Sequence, residues 1–342
     1  MKMTKDIGRI VLDHGTGGLL SEDLISSIII PRLGSVSTGE LADSAVLDMH
    51  GKKIAVTTDS FSIDPIFFGN GNIGKVSVCG TINDLAVSGA TPLYLTLAFI
   101  IEEDFPLADF EQILDSVREA AQEAQVHIVA GDTKVVGLGE ADKIFVNTTG
   151  IGYFKHGRTH ISPRNIRKND NIIVTGLLGN HSIHILSIRE GLGFESRVLS
   201  DCAPLNGMIA QVLEDHAPDI HFMRDLTRGG LGSVLSEVVA LSGLGVEITM
   251  DKLPMQYEMK MAADMLGINP IYLANEGNIS MFVSPKATND ILNKIRQHPY
   301  GKHASVVGHV TDDLIKRVIG LGDDGQITII EPLYGRELPR LC

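Results

Sequence analysis

Runs rich in Val, Ile, Thr and aromatic residues recur before residue 155, and stretches of helical spacing separate them. Four runs predict strands: "KIAVTTDSF" (53–61), "PLYLTLAFII" (92–101), "VHIVAGDTKVV" (126–136) and "KIFVNTTGIGYF" (143–154). Between them Phe110, Ile113, Leu114, Val117, Ala121 and Ala124 recur at helical spacing, with Asp115, Arg118, Glu119 and Glu123 on other faces. A second helix is predicted over Lys75–Ser88. Val78, Ile82, Leu85 and Ala86 form one side of it, and Ser77, Thr81, Asp84 and Ser88 form a polar strip. Such a strip would suit a ligand, but a face turned to water is the commoner explanation.

The basic, proline-bearing stretch "HGRTHISPRNIRKND" (156–170) interrupts the pattern and reads as a linker. After it, "NIIVTGLLG" (171–179) predicts a strand. Helical spacing returns over 181–190, 204–216 and 228–242, and "GVEITM", "NISMFV" and "SVVGHV" predict further strands. Beyond "QITII" (326–330) the periodicity stops. The segment "EPLYGRELPRLC" has two prolines and reads as an extended, mobile tail. The expected fold class is α/β (α+β). It comprises two mixed α/β domains at 1–155 and 171–330, a linker at 156–170 and a tail at 331–342 ending in Cys342. A length of 342 residues exceeds one ordinary core, which agrees with two domains.

Composition narrows the chemistry only a little. The net charge of −13 argues against a nucleic-acid surface but not against a phosphate ligand held through Mg²⁺. No apolar run reaches membrane-spanning length, and the first residues show no signal-peptide core, so a cytoplasmic location is expected. Three cysteines, Cys79, Cys202 and Cys342, give neither a disulfide framework nor a zinc pattern.

Two glycine-rich stretches are phosphate candidates. "FGNGNIGKV" (68–76) matches GxGxxG through Gly69, Gly71 and Gly74, and most of a P-loop, but Val76 replaces the Mg²⁺-binding hydroxyl. A tight loop before a buried helix explains it better. "HGTGG" (14–18) is the second, with Gly17 and Gly18 as phosphate contacts and His14 as a neighbour. The acidic residues say more. Asp43, Asp59, Asp84 and Asp132 each sit among small residues beside apolar segments, where a carboxylate is costly unless paired or metal-bound. Each alone is explained by a cap or a turn. Together they point to Mg²⁺ and, through it, a triphosphate.

Taken in order, "HGTGG", "TTDSF", "GNIGKVSVCGTINDLAVSGA", "AGDTKVV", "NTTGIG", "RDLTRGGL", "ANEG" and the final "PRLC" resemble the HypE family of hydrogenase maturation factors. These are carbamoyl dehydratases of the aminoimidazole ribonucleotide synthetase and selenophosphate synthetase superfamily. The resemblance covers nearly the whole chain, and the terminal Pro-Arg-aliphatic-Cys singles out the family. It implies a homodimer joined through the N-terminal domains, with Mg-ATP in an acidic cleft. It implies that Cys342 receives a carbamoyl group from the carbamoyltransferase HypF, that ATP drives its dehydration to a thiocyanate, and that the cyano group passes to the HypC–HypD complex. Asp43, Asp59, Asp84 and Asp132 are then the Mg²⁺ and ATP ligands, with Asn83 and Thr133 placing phosphates. Lys134 lies near the γ-phosphate and Glu276 is the base. Leu226 and Asn180 depart from the family pattern, which leaves Asp225 and Arg228 as weaker candidates. Cys79 reads as packing, and Cys202 receives no role.

Two other readings remain open at this level. A selenophosphate synthetase would carry a reactive cysteine near its N-terminus, and none precedes Cys79. A docking scaffold would use the tail thiol for recruitment alone.

Overall fold

The computed structural model describes residues 9–15, 18–33, 42–155, 161–312 and 316–335. Gly17, Cys342 and the tail from 336 onward lie outside these. After a helical N-terminal segment, a 3-10 turn at Leu12–Gly15 followed by α1 (Leu19–Leu24), the chain builds a five-stranded sheet. Its strands are β1 (Ala45–Met49), β2 (Lys52–Phe61), β3 (Thr91–Glu102), β4 (His127–Val136) and β5 (Ile144–Tyr153), in the order β1-β2-β5-β3-β4. Only β3 and β4 pair in parallel. Helix α3 (Leu107–Glu123) makes that crossover, as a parallel pair requires. The short β1 was not foreseen. It is a mostly exposed edge strand, turned into β2 by His50 and Gly51, both with positive φ.

One face of this sheet is apolar. Ala55, Leu95, Leu97, Phe99, Ile144 and Val146 are buried in alternation with exposed or half-buried residues. Helix α2 (Ile73–Val87) packs beneath them, and all of its residues except Lys75 and Asp84 are buried. Its polar strip is therefore not a wet surface. The Thr81 hydroxyl donates to Asp59 Oδ2 at 2.8 Å, and the Ser77 hydroxyl donates to the carbonyl of Gly74 at 2.9 Å. Helices enclosed on all sides must satisfy such groups internally.

The second half forms a seven-stranded sheet. Its strands are β6 (Asn171–Val174), β7 (Ile220–Asp225), β8 (Gly245–Thr249), β9 (Ile279–Val283), β10 (Ser305–Thr311), β11 (Val318–Leu321) and β12 (Ile327–Ile330), ordered β12-β11-β8-β10-β6-β9-β7. Helices α4 (Asn180–Glu190), α5 (Asn206–His216), α6 (Gly230–Ser242), α7 (Tyr257–Leu266) and α8 (Thr288–Gln297) accompany it. Both halves are thus mixed α/β, as the pattern predicts. The strand expected over 171–179 stops at Val174, because the chain turns at Thr175–Gly179 to enter α4. Among the described residues no helix is long and apolar enough to cross a membrane.

The halves interlock through α2. Ala86 and Val87 belong to the core of the second half, while Ile185, Leu186 and Cys202 belong to that of the first. Asn83 fastens the contact. Its amide nitrogen donates to the carbonyls of Ala203 (3.1 Å) and Glu276 (3.4 Å), and its oxygen accepts the N–H of Leu205 at 2.8 Å. Asn83→Ala leaves those buried backbone groups without partners. It should lower the unfolding free energy by about 2–4 kcal/mol, read as a lower urea midpoint.

Candidate active site

Carboxylates from both halves meet where β2, the end of α2 and the end of β7 converge. Asp43 precedes β1, Asp59 lies on β2, Asp84 on α2 and Asp225 ends β7. Single carboxylate oxygens of Asp43, Asp84 and Asp225 lie within 4.8 Å of one another. The Thr57 hydroxyl donates to Asp84 Oδ2 at 3.1 Å. Arg224 Nε stands 2.8 Å from Asp43 Oδ1, and its Nη2 is 3.5 Å from Glu237 Oε2.

The electrostatics follow from crowding. Burial holds Asp43 and Asp84 well above the ordinary carboxylate range. For Asp43 the Arg224 cation opposes this shift, whereas for Asp84 the neighbouring Asp225, Asp59 and Asp43 reinforce it. Asp59 is raised by burial and lowered by its bond to Thr81. Burial opposes the charge of Arg224, but the surrounding carboxylates raise its pKa. One guanidinium amid so many carboxylates leaves a site that favours a further cation. An all-oxygen donor set at this spacing suits Mg²⁺.

Other expected residues are placed differently. Asp132, Thr133 and Lys134 lie on β4, an exposed edge strand. Asp59 pairs with Thr148, Thr148 with Leu97, and Leu97 with Gly131, so these share the helix-facing side. Asp132 pairs with Ala98 and projects from the other face. Three interstrand steps of roughly 4.8 Å also separate it from Asp59. A single chain therefore does not bring Asp132 or Lys134 to the carboxylate cluster. Asn83 is occupied by backbone groups, as described above, and acts on the site by holding the Ala203–Leu205 and Glu276 segments.

The GxGxxG loop is closed to phosphate. Asn72 Oδ1 accepts the N–H groups of Gly74 and Lys75, the free amides that an anion would need, and Glu119 and Glu123 line the cavity beside them. In "HGTGG", His14 is buried rather than exposed. Arg228 Nη1 donates to the carbonyl of Gly15 at 3.2 Å. Gly18 permits a backbone crossing, because a Cβ there would sit 2.5 Å from the Leu333 carbonyl oxygen. That oxygen accepts the N–H of Leu19 at 2.9 Å, and the Tyr272 hydroxyl donates to the Glu331 carbonyl at 2.6 Å. Residues 331–335, read as the start of a free tail, are thus fastened beside the N-terminal loop. The Leu333 side chain faces Gly229, next to Arg228.

Glu276 is 7% exposed, and its pKa is raised well above the usual value by burial, then by Asp201, Asp225 and Asp59. Leu226 is fully buried, and its backbone pairs with Asn275 and Asn278, so packing accounts for this departure. Asn180 donates to Gln256 Oε1 at 3.3 Å. Sequence reasoning missed Arg224, Glu237 and Asp201. A charge at the end of the otherwise apolar "IHFMRD" was the available signal for Arg224. Cys202, given no partner from spacing, has its thiol hydrogen-bonded to Cys79.

Comparison with known proteins gives a consistent picture. A family model described as AIR synthase related protein, N-terminal domain, matches residues 41–154, and its C-terminal domain counterpart matches 167–320. Carbamoyl dehydratase HypE of Bradyrhizobium diazoefficiens is 38% identical over 335 residues, covering 98% of this chain and 96% of the relative. A crystal structure of a HypE–HypF complex matches with a TM-score of 0.83 at 40% identity, covering 92% of this chain and 99% of that one. A structure of HypE in complex with ATP gives 0.82 at 37%, covering 98% and 100%.

Asp84→Asn removes one of the crowded charges. Because the folded-state pKa of Asp84 lies above its ordinary 3.8, the wild type pays no penalty below that value and an increasing one as pH rises through the shifted value. In metal-free buffer the variant should therefore melt higher than wild type by roughly 2–4 °C near neutral pH, and by less near pH 4. MgCl₂ should raise the wild-type Tm and raise that of the variant less.

Proposed function

Because the chain belongs to the HypE carbamoyl dehydratase family of AIR synthase related proteins, we propose that it uses ATP to dehydrate a carboxamide carried on the sulfur of Cys342. The product is an S-cyanate, the source of a cyanide ligand for NiFe-hydrogenase assembly. One observation carries this reading: the carboxylate cluster of Asp43, Asp84 and Asp225 is within electrostatic reach of Glu276, and Leu333 of the anchored C-terminal segment packs at Gly229, next to Arg228, whose charge reaches Asp59 and Glu276.

The chemistry balances with one ATP per turnover. The amide oxygen attacks the γ-phosphorus, ADP leaves, and the amide oxygen becomes part of a phosphate leaving group. Breaking the C–O bond releases phosphate and leaves a nitrile. Both N–H protons are lost, one leaving with the phosphate and one passing through a base to solvent. Asp43, Asp59, Asp84 and Asp225 would hold Mg²⁺, which when bound neutralises triphosphate charge. Glu276, a buried carboxyl whose pKa burial raises, is the group suited to take a proton from nitrogen. Arg228, whose charge reaches both Asp59 and Glu276, would face the transferring phosphoryl group.

The reading includes a homodimer. The outer face of the five-stranded sheet carries Ile54, Val56, Ile100, Phe145 and Ile151, and the edge strand β4 is exposed except at its last residue, Val136. A second copy laid on this face would cover it and bring Asp132 and Lys134 into a shared interior. The carbamoyl donor would be HypF, since a HypE relative of similar fold is known in complex with it. HypC–HypD would accept the product. The compartment is the cytoplasm.

Intact-mass measurement tests this. With HypF and carbamoyl phosphate, the wild type should gain a carboxamide on Cys342, and ATP with Mg²⁺ should then remove the mass of one water. Cys342→Ser should gain nothing, and Glu276→Gln should keep the carboxamide with dehydration slowed by about 100-fold or more. A water-loss product on the Cys342→Ser chain overturns the assignment.

A further inference from the structure

Arg224 has no part in the reading above, yet its guanidinium stands where a cation would. Asp43, Asp84 and Asp225 bring one carboxylate oxygen each within 4.8 Å of one another. Arg224 Nε lies against two of these groups, 2.8 Å from Asp43 Oδ1 and 4.0 Å from Asp225 Oδ1. A second nitrogen reaches an acid outside that trio, for Nη2 is 3.5 Å from Oε2 of Glu237 on α6. The partners differ in wetness. The Asp43 side chain is 10% exposed and that of Glu237 is 35% exposed. Glu237 is also the looser partner, because 3.5 Å exceeds hydrogen-bond length and leaves room to close. One planar fork thus spans an inner, dry anchor and an outer, wetter one.

A guanidinium at this position and a divalent ion oppose each other. Mg²⁺ takes its oxygens at about 2.0–2.1 Å and carries twice the charge. At such range two cations repel, and they draw on the same carboxylates. We propose that Arg224 is a resident counter-cation, displaced from Asp43 towards Glu237 when a divalent ion settles on Asp43, Asp84 and Asp225. This deepens the reading above and rests on those carboxylates being the Mg²⁺ site. Without metal the guanidinium offsets the repulsion among the acids. It also ties the halves, since Asp43 belongs to the first and Arg224 to the second. With metal bound the ion takes over both tasks, and Glu237 keeps the arginine near enough to return. Charge around Glu237 agrees with that role. Burial raises its pKa, the Arg224 cation lowers it, and Asp225 and Glu22 of α1 raise it again, so a cation is favoured there. Arg224 is then a competitor that sets how much free metal the site needs. A fixed strut that holds Asp43 ready for the metal would do the reverse.

Calorimetric titration of the metal-free protein with MnCl₂, in the absence of nucleotide, tests the exchange. Mn²⁺ shares the octahedral oxygen preference of Mg²⁺. Arg224→Met keeps much of the side-chain length and removes the charge, and it should bind Mn²⁺ about tenfold more tightly than wild type. Equal or weaker binding overturns the proposal. Glu237→Gln should weaken binding in the wild-type background and have a smaller effect alongside Arg224→Met, because Glu237 acts through the arginine. A loss of equal size in both backgrounds marks plain attraction between acid and metal, and counts against the exchange. Asp84→Asn, titrated in parallel, separates the two claims. If it binds Mn²⁺ as wild type does, the cluster is not the metal site, and reading and proposal fall together. If it loses binding while Arg224→Met matches wild type, the proposal falls alone. Should Arg224→Met fail to fold, a crystal structure of the wild type with Mn²⁺ decides. Metal on the three carboxylates with the guanidinium moved onto Glu237 supports the exchange, and metal there with the Arg224–Asp43 contact kept overturns it.

Discussion

Repulsion among Asp43, Asp59, Asp84 and Asp225 is the constraint on which the rest of the structure depends. Like charges in a partly dry space push apart, and here both halves of the chain hold them together. β2 supplies one, α2 another, and β7 a third. Arg224 offsets part of the repulsion from within the second half by pairing with Asp43 of the first. The contact between halves is therefore electrostatic at its centre and apolar at its margins, where Ala86, Val87, Ile185 and Leu186 interlock. A site of this kind works against its own scaffold, and a cation bound there would couple ligand binding to the cohesion of the two halves.

Helix α2 transmits that coupling. Its residues serve three purposes at once: apolar packing under the sheet, the Asp84 carboxylate, and the Asn83 clamp on the segments that carry Asp201 and Glu276. A polar strip on a helix with no exposed side leaves little freedom for substitution, since each hydroxyl or amide has a fixed partner. Glu276 and the carboxylate cluster are thus positioned by one rigid element rather than by two independent loops.

Much of this was legible in the chain. The period-two runs in the first half gave strands within a residue or two of those observed, because one face of the sheet is buried and the pattern is enforced. The acidic cluster was legible because Asp43, Asp59 and Asp84 stand among small and apolar residues. Asp132 has the same local signature, but which face a strand residue takes depends on register with strands distant in sequence. No local pattern records that. Asp201 was invisible for a related reason: its carboxyl accepts the N–H groups of Glu276 and Gly277, far along the chain. The polar strip of α2 was ambiguous because a helix buried all round and a helix at the surface can show the same spacing.

The crossing of Leu333 over Gly18 and Leu19 has a consequence for kinetics. From Gly335 to Cys342 the chain spans at most about 25 Å. Under the proposed reaction, a cargo on that sulfur would stay within this reach of the anchor, at an effective concentration of millimolar order. Encounter with the carboxylate centre would then be independent of how dilute the protein is. Turnover should be governed by the chemical step or by release to the acceptor, not by diffusion of the amide.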